Sequence, residues 1–261
     1  MKKFLKAVFH SKLVRNIRNL TGIRPELFLF AHEDQYLLSD LFIWRTDSNF
    51  ETVFNASDIL NKYYDIPSKL YFIFFDSDGG FILTTELEFK NGVSRLIINE
   101  QLIGTNSYGT FCVLNIPTES YTKQINVTNR CYVGYGRDNA FSMVHGNMFA
   151  LMVTKPSATL DDLITLLRPA ISSRKSNFCY HIQKKQPRGT NTSYWFSNPL
   201  ARSIKINIGN KTITIQPRGC GFISFDKNEA SSKPHIIKSD FSFARPILIN
   251  EKDGFLDCHY G

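Results

Sequence analysis

The sequence predicts a mainly β protein with two β-sandwich lobes, Ig-like or jelly-roll-like, a basic N-terminal helix and one or two short helices. Of the 261 residues, 22 are phenylalanine and 11 are tyrosine, and only 21% are charged. This composition suits half-buried pleated surfaces better than solvated helices. The apolar runs are short and are separated by polar or glycine-bearing turns, as in sandwich proteins.

The basic N-terminal helix is predicted over residues 2–20, within a segment 1–25 that precedes the lobes. Its apolar residues fall on one broad arc, and Gly22 and Pro25 end it. All seven cations of the first 24 residues lie in a stretch without a single acid, so much of the net charge of +8 is local. We expect the arc to dock on the body; the alternative is a peripheral contact with an anionic membrane surface or a protein partner.

The first lobe is predicted over residues 26–120. Its strand candidates are LFLFA, YLLSDLFIWR, FETVF, KLYFIFF, GFILTTELEF, SRLIIN and YGTFCVLN. The clearest turn is DSDGG at 76–80, because its glycines tolerate a positive φ. One short helix is predicted at 57–63, with Asn55 or Ser57 as its N-cap.

The second lobe is predicted over residues 121–261, after a polar linker at 117–129. SIKINIGNKTITI has period-two alternation on both sides of a Gly-Asn pair and predicts a β-hairpin. A short helix is predicted near 159–168, where SATLDD supplies a cap and acidic residues for the first turn.

Cysteine usage and hydropathy indicate a cytoplasmic protein, with attachment to the inner face of a membrane through residues 2–20 as the alternative. The five cysteines are odd in number and have no CxxC spacing, which is typical of reduced thiols. Cys179 with His181, and Cys258 with His259, lack the spacing that organises zinc. We expect neither a metal nor a cofactor, since the P-loop and GxGxxG motifs are absent.

The strongest candidate site lies in GRDNAFSMVHGNMFALM, residues 136–152. Arg137 and Asp138 precede a second polar group, His145 and Asn147, that flanks Gly146. Guanidinium, imidazole and carboxamide groups could together bind an anionic or hydroxylated ligand. The alternative is two polar turns between buried strands, because Gly-Asn and Gly-Arg-Asp-Asn are themselves turn sequences.

Two further segments combine aromatic and basic residues. Trp44 and Arg45 could form a stacking platform for a sugar or a base, or could simply belong to the core and its rim. Lys184, Lys185 and Arg188 precede Tyr194, Trp195 and Phe196 in a pattern that single-stranded nucleic-acid grooves also use. We do not expect nucleic acid as a partner, because no RNA-binding or DNA-binding motif accompanies this pattern.

These features favour a non-catalytic binding or accessory module. Its expected ligand is carbohydrate-containing or polyanionic, or else it assists an enzyme of surface-polysaccharide metabolism; the expected ligand-binding residues are Trp44, Arg45, Arg137, His145 and Asn147. The alternative is a sugar or sugar-phosphate hydrolase or transferase, with His145 as acid or base and with Arg137 and Asp138 beside it. A nucleic-acid-binding protein is the third class.

Overall fold

The computed structural model describes residues 35–119, 130–147, 151–154, 177–182, 189–200, 202–229, 234–241 and 245–260, together with Val14. The helix predicted near 159–168 lies outside these residues, as does all but one residue of the helix predicted at 2–20. The described residues form four antiparallel sheets. None of their helices is long and apolar enough to cross a membrane.

Sheets I and II are built from the first part of the chain. Sheet I consists of β1 (Gln35–Leu38), β2 (Phe42–Arg45), β4 (Ser68–Asp76), β5 (Phe81–Glu88), β7 (Tyr108–Pro117) and β10 (Leu151–Thr154), in the order β10-β1-β7-β4-β5 with β2 also paired to β7. Sheet II consists of β3 (Phe50–Ser57), β6 (Val93–Ile98), β8 (Arg130–Arg137) and β9 (Ala140–Asn147), in the order β6-β3-β8-β9.

Sheets III and IV are built from the later part of the chain. Sheet III consists of β12 (Asn191–Ser197), β15 (Cys220–Phe225), β17 (Ile247–Lys252) and β18 (Phe255–Tyr260), in the order β15-β12-β17-β18. Sheet IV consists of β11 (Phe178–His181), β13 (Ile204–Ile208), β14 (Lys211–Ile215) and β16 (Ile236–Ser239), in the order β11-β16-β13-β14. The predicted hairpin is confirmed as β13 and β14.

The mainly β prediction is confirmed, but the prediction of two β-sandwich lobes is wrong. The four small sheets are arranged like the blades of a four-bladed β-propeller. Edge strands of neighbouring sheets lie side by side: β5 of sheet I with β6 of sheet II, β9 of sheet II with β18 of sheet III, and β15 of sheet III with β14 of sheet IV. Sheet III is buried on both faces. Trp195 on one face joins the core of sheets I and II, whereas Tyr194 and Phe196 on the other face join the core of sheet IV.

Strand pairing also crosses the predicted boundary at residue 120. β8 and β9 complete sheet II beside β3, and β10 pairs with β1 in sheet I. The segment 130–154 therefore contributes to the same sheets as the residues before 120, because a strand of either sheet can be supplied from a distant part of the chain.

Phenylalanines form the centre of the core between sheets I and II. Phe54 of sheet II meets Phe72 edge-on, with ring centroids 5.2 Å apart, and Phe111 stacks on Phe74 at 5.5 Å. Phe42 and Phe111 are 5.3 Å apart. Such offset and edge-on pairs are favourable beyond the burial of their area, so these phenylalanines stabilise the packing of sheet II against sheet I.

Two short helices connect strands, and each begins at a side-chain cap. The Asp58 carboxylate accepts a hydrogen bond from the backbone N–H of Asn61 in α1 (Ile59–Tyr64). Asn99 caps α2 (Glu100–Ile103) through the N–H of Leu102. The helix predicted at 57–63 is therefore present, but its N-cap is Asp58 rather than Asn55 or Ser57, because β3 continues through Ser57.

Two backbone turns from different halves of the chain fit against each other at glycines. The predicted turn at 76–80 joins β4 to β5, and the Ser77 carbonyl accepts a hydrogen bond from the Cys220 N–H at 3.0 Å. A Cβ atom at Gly219 would lie 2.3 Å from the Ser77 oxygen, and one at Gly79 would lie 1.9 Å from the Pro217 oxygen. Glycine is required at both positions because the obstructing atoms are backbone.

We expect Gly219→Ala to destabilise the fold by about 1–3 kcal/mol, because the new methyl group must push two backbones apart. Gly221→Ala is the matched control, since its Cβ would have only ordinary contacts, the nearest at 3.6 Å. Urea unfolding followed by tryptophan fluorescence measures both variants. Equal stabilities for the two would contradict this account of the glycine contact.

Candidate functional site

Arg45 lies at the centre of a stack of planar side chains that joins three sheets. Its guanidinium carbon is 3.7 Å from the centroid of the Phe50 ring in sheet II and 4.5 Å from that of the Trp195 ring in sheet III. The Arg45 Nε and Nη2 atoms also donate to the Asp47 carboxylate at 2.9 and 2.6 Å. A planar cation suits this position, because guanidinium can stack on two rings while it binds a carboxylate in its own plane.

The stack continues on both sides of Arg45. Phe222 lies against the outer side of Trp195, with ring centroids 4.4 Å apart and planes inclined by 23°. Arg137 lies 5.0 Å from the Phe50 centroid and forms a 2.6 Å ion pair with Glu251. Each arginine of this arginine–aromatic stack thus has a carboxylate partner. The stack therefore stabilises the packing of sheets I, II and III against one another.

The structure brings together residues from all three sequence candidates, but it does so inside the protein. Arg45 and Trp195 are in contact, and Arg137 shares the Phe50 ring with Arg45. Trp44 is fully buried, and its indole N–H donates to the carbonyls of Phe75 and Thr110. Neither the Trp44 side chain nor the Arg45 side chain presents a face to solvent, which a stacking platform for a ligand would require.

Arg137 and His145 do not converge either. Arg137 belongs to the face of β8 that packs inward, together with the buried Val133 and Tyr135. His145 is exposed and contacts Tyr132 on the opposite face, with ring centroids 4.7 Å apart. The proposed acid–base pairing of these residues therefore lacks the geometry that such chemistry requires.

The remaining predicted site residues are distributed along the same hairpin. Asp138 is exposed in the turn between β8 and β9, where its φ of 53° shows a left-handed turn conformation. Asn147 pairs with Arg130 at the end of β9, and its side chain lies outside the described part of the chain. Lys184, Lys185 and Arg188 also lie outside it, whereas Tyr194, Trp195 and Phe196 are buried.

The outward side of sheet II, which we name the open face, is the most distinctive exposed surface of the described residues. Four aligned residues, one on each strand, form a polar row across the sheet: Arg95 on β6, Asn55 on β3, Tyr132 on β8 and His145 on β9. Tyr132 is 41% exposed. Among the described residues, the side chains of Arg95, Tyr132 and His145 form no hydrogen bond or ion pair, so these groups are available to a ligand.

The next row of the open face is apolar and consists of Ile97, Val53, Gly134 and Met143. Phe141 is opposite Gly136, one row further, and its ring reaches over Gly134. A Cβ atom at Gly134 would lie 2.4 Å from Phe141 Cζ, and one at Gly136 would lie 3.1 Å from Phe141 Cδ2. The ring therefore lies over two glycines, yet Phe141 remains 49% exposed. Ile97 and Met143 are exposed, whereas Val53, which is aligned between Ile97 and Gly134, is buried.

Four of the five cysteine thiols are buried, and burial raises the pKa of each of the four. Burial raises the pKa of the Cys112 thiol to about 12, and burial also raises the pKa of Cys258 to about 12. Burial likewise raises the pKa values of Cys131 and Cys220. In the part of the chain that the structure describes, no three histidine, cysteine or acidic side chains cluster as metal ligands.

The chain matches no protein-family model, and no curated protein is significantly similar to it in sequence.

Sequence reasoning found His145 but missed most of the open face. Arg95, Asn55, Tyr132 and Phe141 lie on three different hairpins or crossovers, and only strand register aligns them. One local signal was available. Once the Asp-Asn turn is recognised, GYGRDNAF places Phe141 opposite Gly136 and diagonal to Gly134, and an aromatic ring commonly covers cross-strand glycine.

We expect Arg45→Lys to destabilise the protein by about 2 kcal/mol, because an ammonium group cannot reproduce the stacking and the paired hydrogen bonds. Arg95→Lys is the control: Arg95 is exposed, and its replacement is expected to change stability by less than about 0.5 kcal/mol. Urea denaturation compares the two. If Arg45→Lys is as stable as the control, the stack does not stabilise the packing of the three sheets.

We also expect iodoacetamide at pH 8 to alkylate Cys179 alone among the cysteines of the folded protein. Cys179 is exposed and the other four thiols are buried, and alkylation requires an accessible thiolate. Mass spectrometry after a timed reaction identifies the modified residue. A second cysteine that reacts as fast without denaturant would contradict the described burial, and Cys179→Ser should abolish the reaction.

Proposed function

We propose that this protein is a non-catalytic binding module for a carbohydrate-containing ligand, and that the ligand binds on the open face. The observation that carries the proposal is Phe141, an aromatic ring that lies over Gly134 and Gly136 and keeps half of its surface in solvent. A flat ring of this kind can stack on the apolar C–H side of a sugar.

The polar row supplies the second requirement of sugar recognition. Sugars carry hydroxyl groups around their edges, which need directional donors and acceptors. Arg95, Asn55, Tyr132 and His145 provide guanidinium, carboxamide, phenol and imidazole groups one register row away from the Phe141 ring. A surface that binds only an apolar protein partner is expected to carry apolar side chains at its centre and polar side chains at its rim.

Binding is favoured over catalysis by the separation of the candidate chemical groups. Arg137, the residue expected to stabilise charge beside His145, lies on the inward face of sheet II and binds Glu251. His145 has Tyr132 as its ring neighbour. An exposed imidazole beside a phenol on a flat surface lacks the enclosed and dry surroundings that make acid–base groups effective.

The proposal predicts that the protein is retarded by an immobilised polysaccharide in affinity electrophoresis. The panel comprises neutral β-glucans, xylan, hyaluronan and bacterial capsular polysaccharide. Phe141→Ala should weaken binding about tenfold to the polysaccharide that retards the protein, because a stacking contact is lost. Phe141→Trp keeps an aromatic ring at this position and should still bind.

Phe81→Ala is the matched control, because Phe81 is 42% exposed but belongs to β5 of sheet I. Thermal unfolding of each variant separates a loss of binding from a loss of folding. A wild-type protein that no polymer in the panel retards, or a Phe141→Ala variant that binds as well as Phe81→Ala, would refute the proposed site.

A further inference from the structure

We infer that the ligand is an internal stretch of a linear glycan chain, which lies across the four strands of sheet II rather than along them. This inference rests on the proposed function of the open face. It concerns the form of the ligand, and it follows from how the polar and apolar rows of the face are placed.

The polar row crosses all four strands at one level. Arg95 on β6 is opposite Asn55 on β3, Asn55 is opposite Tyr132 on β8, and Tyr132 is opposite His145 on β9. Neighbouring strands are about 4.8 Å apart, so the row spans about 14 Å. One monosaccharide cannot contact both ends of it, whereas a chain of about three sugars covers that distance.

The apolar row runs parallel to the polar row. Ile97 on β6 is opposite Val53, and Met143 on β9 is opposite Gly134, which the Phe141 ring covers. The face thus offers a strip of apolar contacts alongside a strip of hydrogen-bonding groups. A matching ligand has the same two properties repeated along its length, which is the character of a chain of pyranose rings.

The residues at both ends of the polar row reach solvent. Arg95 on β6 and His145 on β9 are exposed, although β5 and β18 lie beside these two strands. A site that selects a chain end is closed on one side so that it excludes the continuing polymer. The exposed ends of this row therefore fit a ligand that continues in both directions.

The first test compares oligosaccharides of two, four and six units, prepared from the polysaccharide that retards the protein. Isothermal titration calorimetry should give an affinity at least tenfold higher for the hexasaccharide than for the disaccharide, with no further gain for longer chains. Equal affinities for the disaccharide and the hexasaccharide would overturn the chain inference and leave the proposed function standing. Failure of every polysaccharide to bind would overturn both.

The second test addresses orientation. Arg95→Ala and His145→Ala remove the two ends of the polar row, and each should weaken hexasaccharide binding about five- to tenfold, as expected for one lost hydrogen bond. Disaccharide affinity should fall in at most one of them. Lys238→Ala is the control, because Lys238 is exposed on sheet IV.

The outcomes of the second test are distinct. If Arg95→Ala and His145→Ala both bind the hexasaccharide like the control while Phe141→Ala does not, the chain does not lie across the strands. If Phe141→Ala and the two polar variants all bind normally, the glycan occupies another surface. Both results contradict the inference, and only the second also contradicts the proposed function.

Discussion

The stacking of the Arg45 guanidinium between Phe50 and Trp195 is the interaction on which the arrangement of sheets I, II and III depends. The charge is almost completely removed from water, a change that costs several kcal/mol unless the cation is paired and hydrogen-bonded. Asp47 supplies the pairing from the next turn of chain, and the two rings supply the packing. Because Arg45, Phe50 and Trp195 lie on strands of three different sheets, the stack is complete only when all three sheets are in place.

Other contacts between the same sheets reinforce this arrangement. The Ser142 hydroxyl of sheet II accepts a hydrogen bond from the Cys258 N–H of sheet III, and the Ser197 hydroxyl donates to the Leu41 carbonyl beside β2. The glycine contact between the 76–80 turn and Gly219 joins sheet I to sheet III by backbone alone. Sheet III therefore acts as the centre of the molecule, with cores on both of its faces.

Sheet II has two different faces, one that packs in the core and one that is exposed. Its inward face contributes phenylalanines, Tyr135 and Arg137 to the core, while its outward face carries the polar row and Phe141. Gly134 and Gly136 make the outward face possible, because any larger side chain would lift the Phe141 ring from the sheet. Substitution of Gly134 or Gly136 can therefore displace the exposed Phe141 ring and leave the core unchanged.

Local periodicity and turn chemistry were enough to predict the β class, the hairpin around Gly209, the turn at 76–80 and a short helix after β3. The sequence also singled out His145, Arg45, Arg137 and Trp195 as polar or aromatic residues in candidate sites. The burial of Trp44, the inward direction of the two arginines and the presence of four sheets instead of two sandwiches became visible only in the folded chain. The physical reason is that alternation shows that a strand has a buried face, but it cannot specify which sheet covers that face or which distant strands align their side chains in one row.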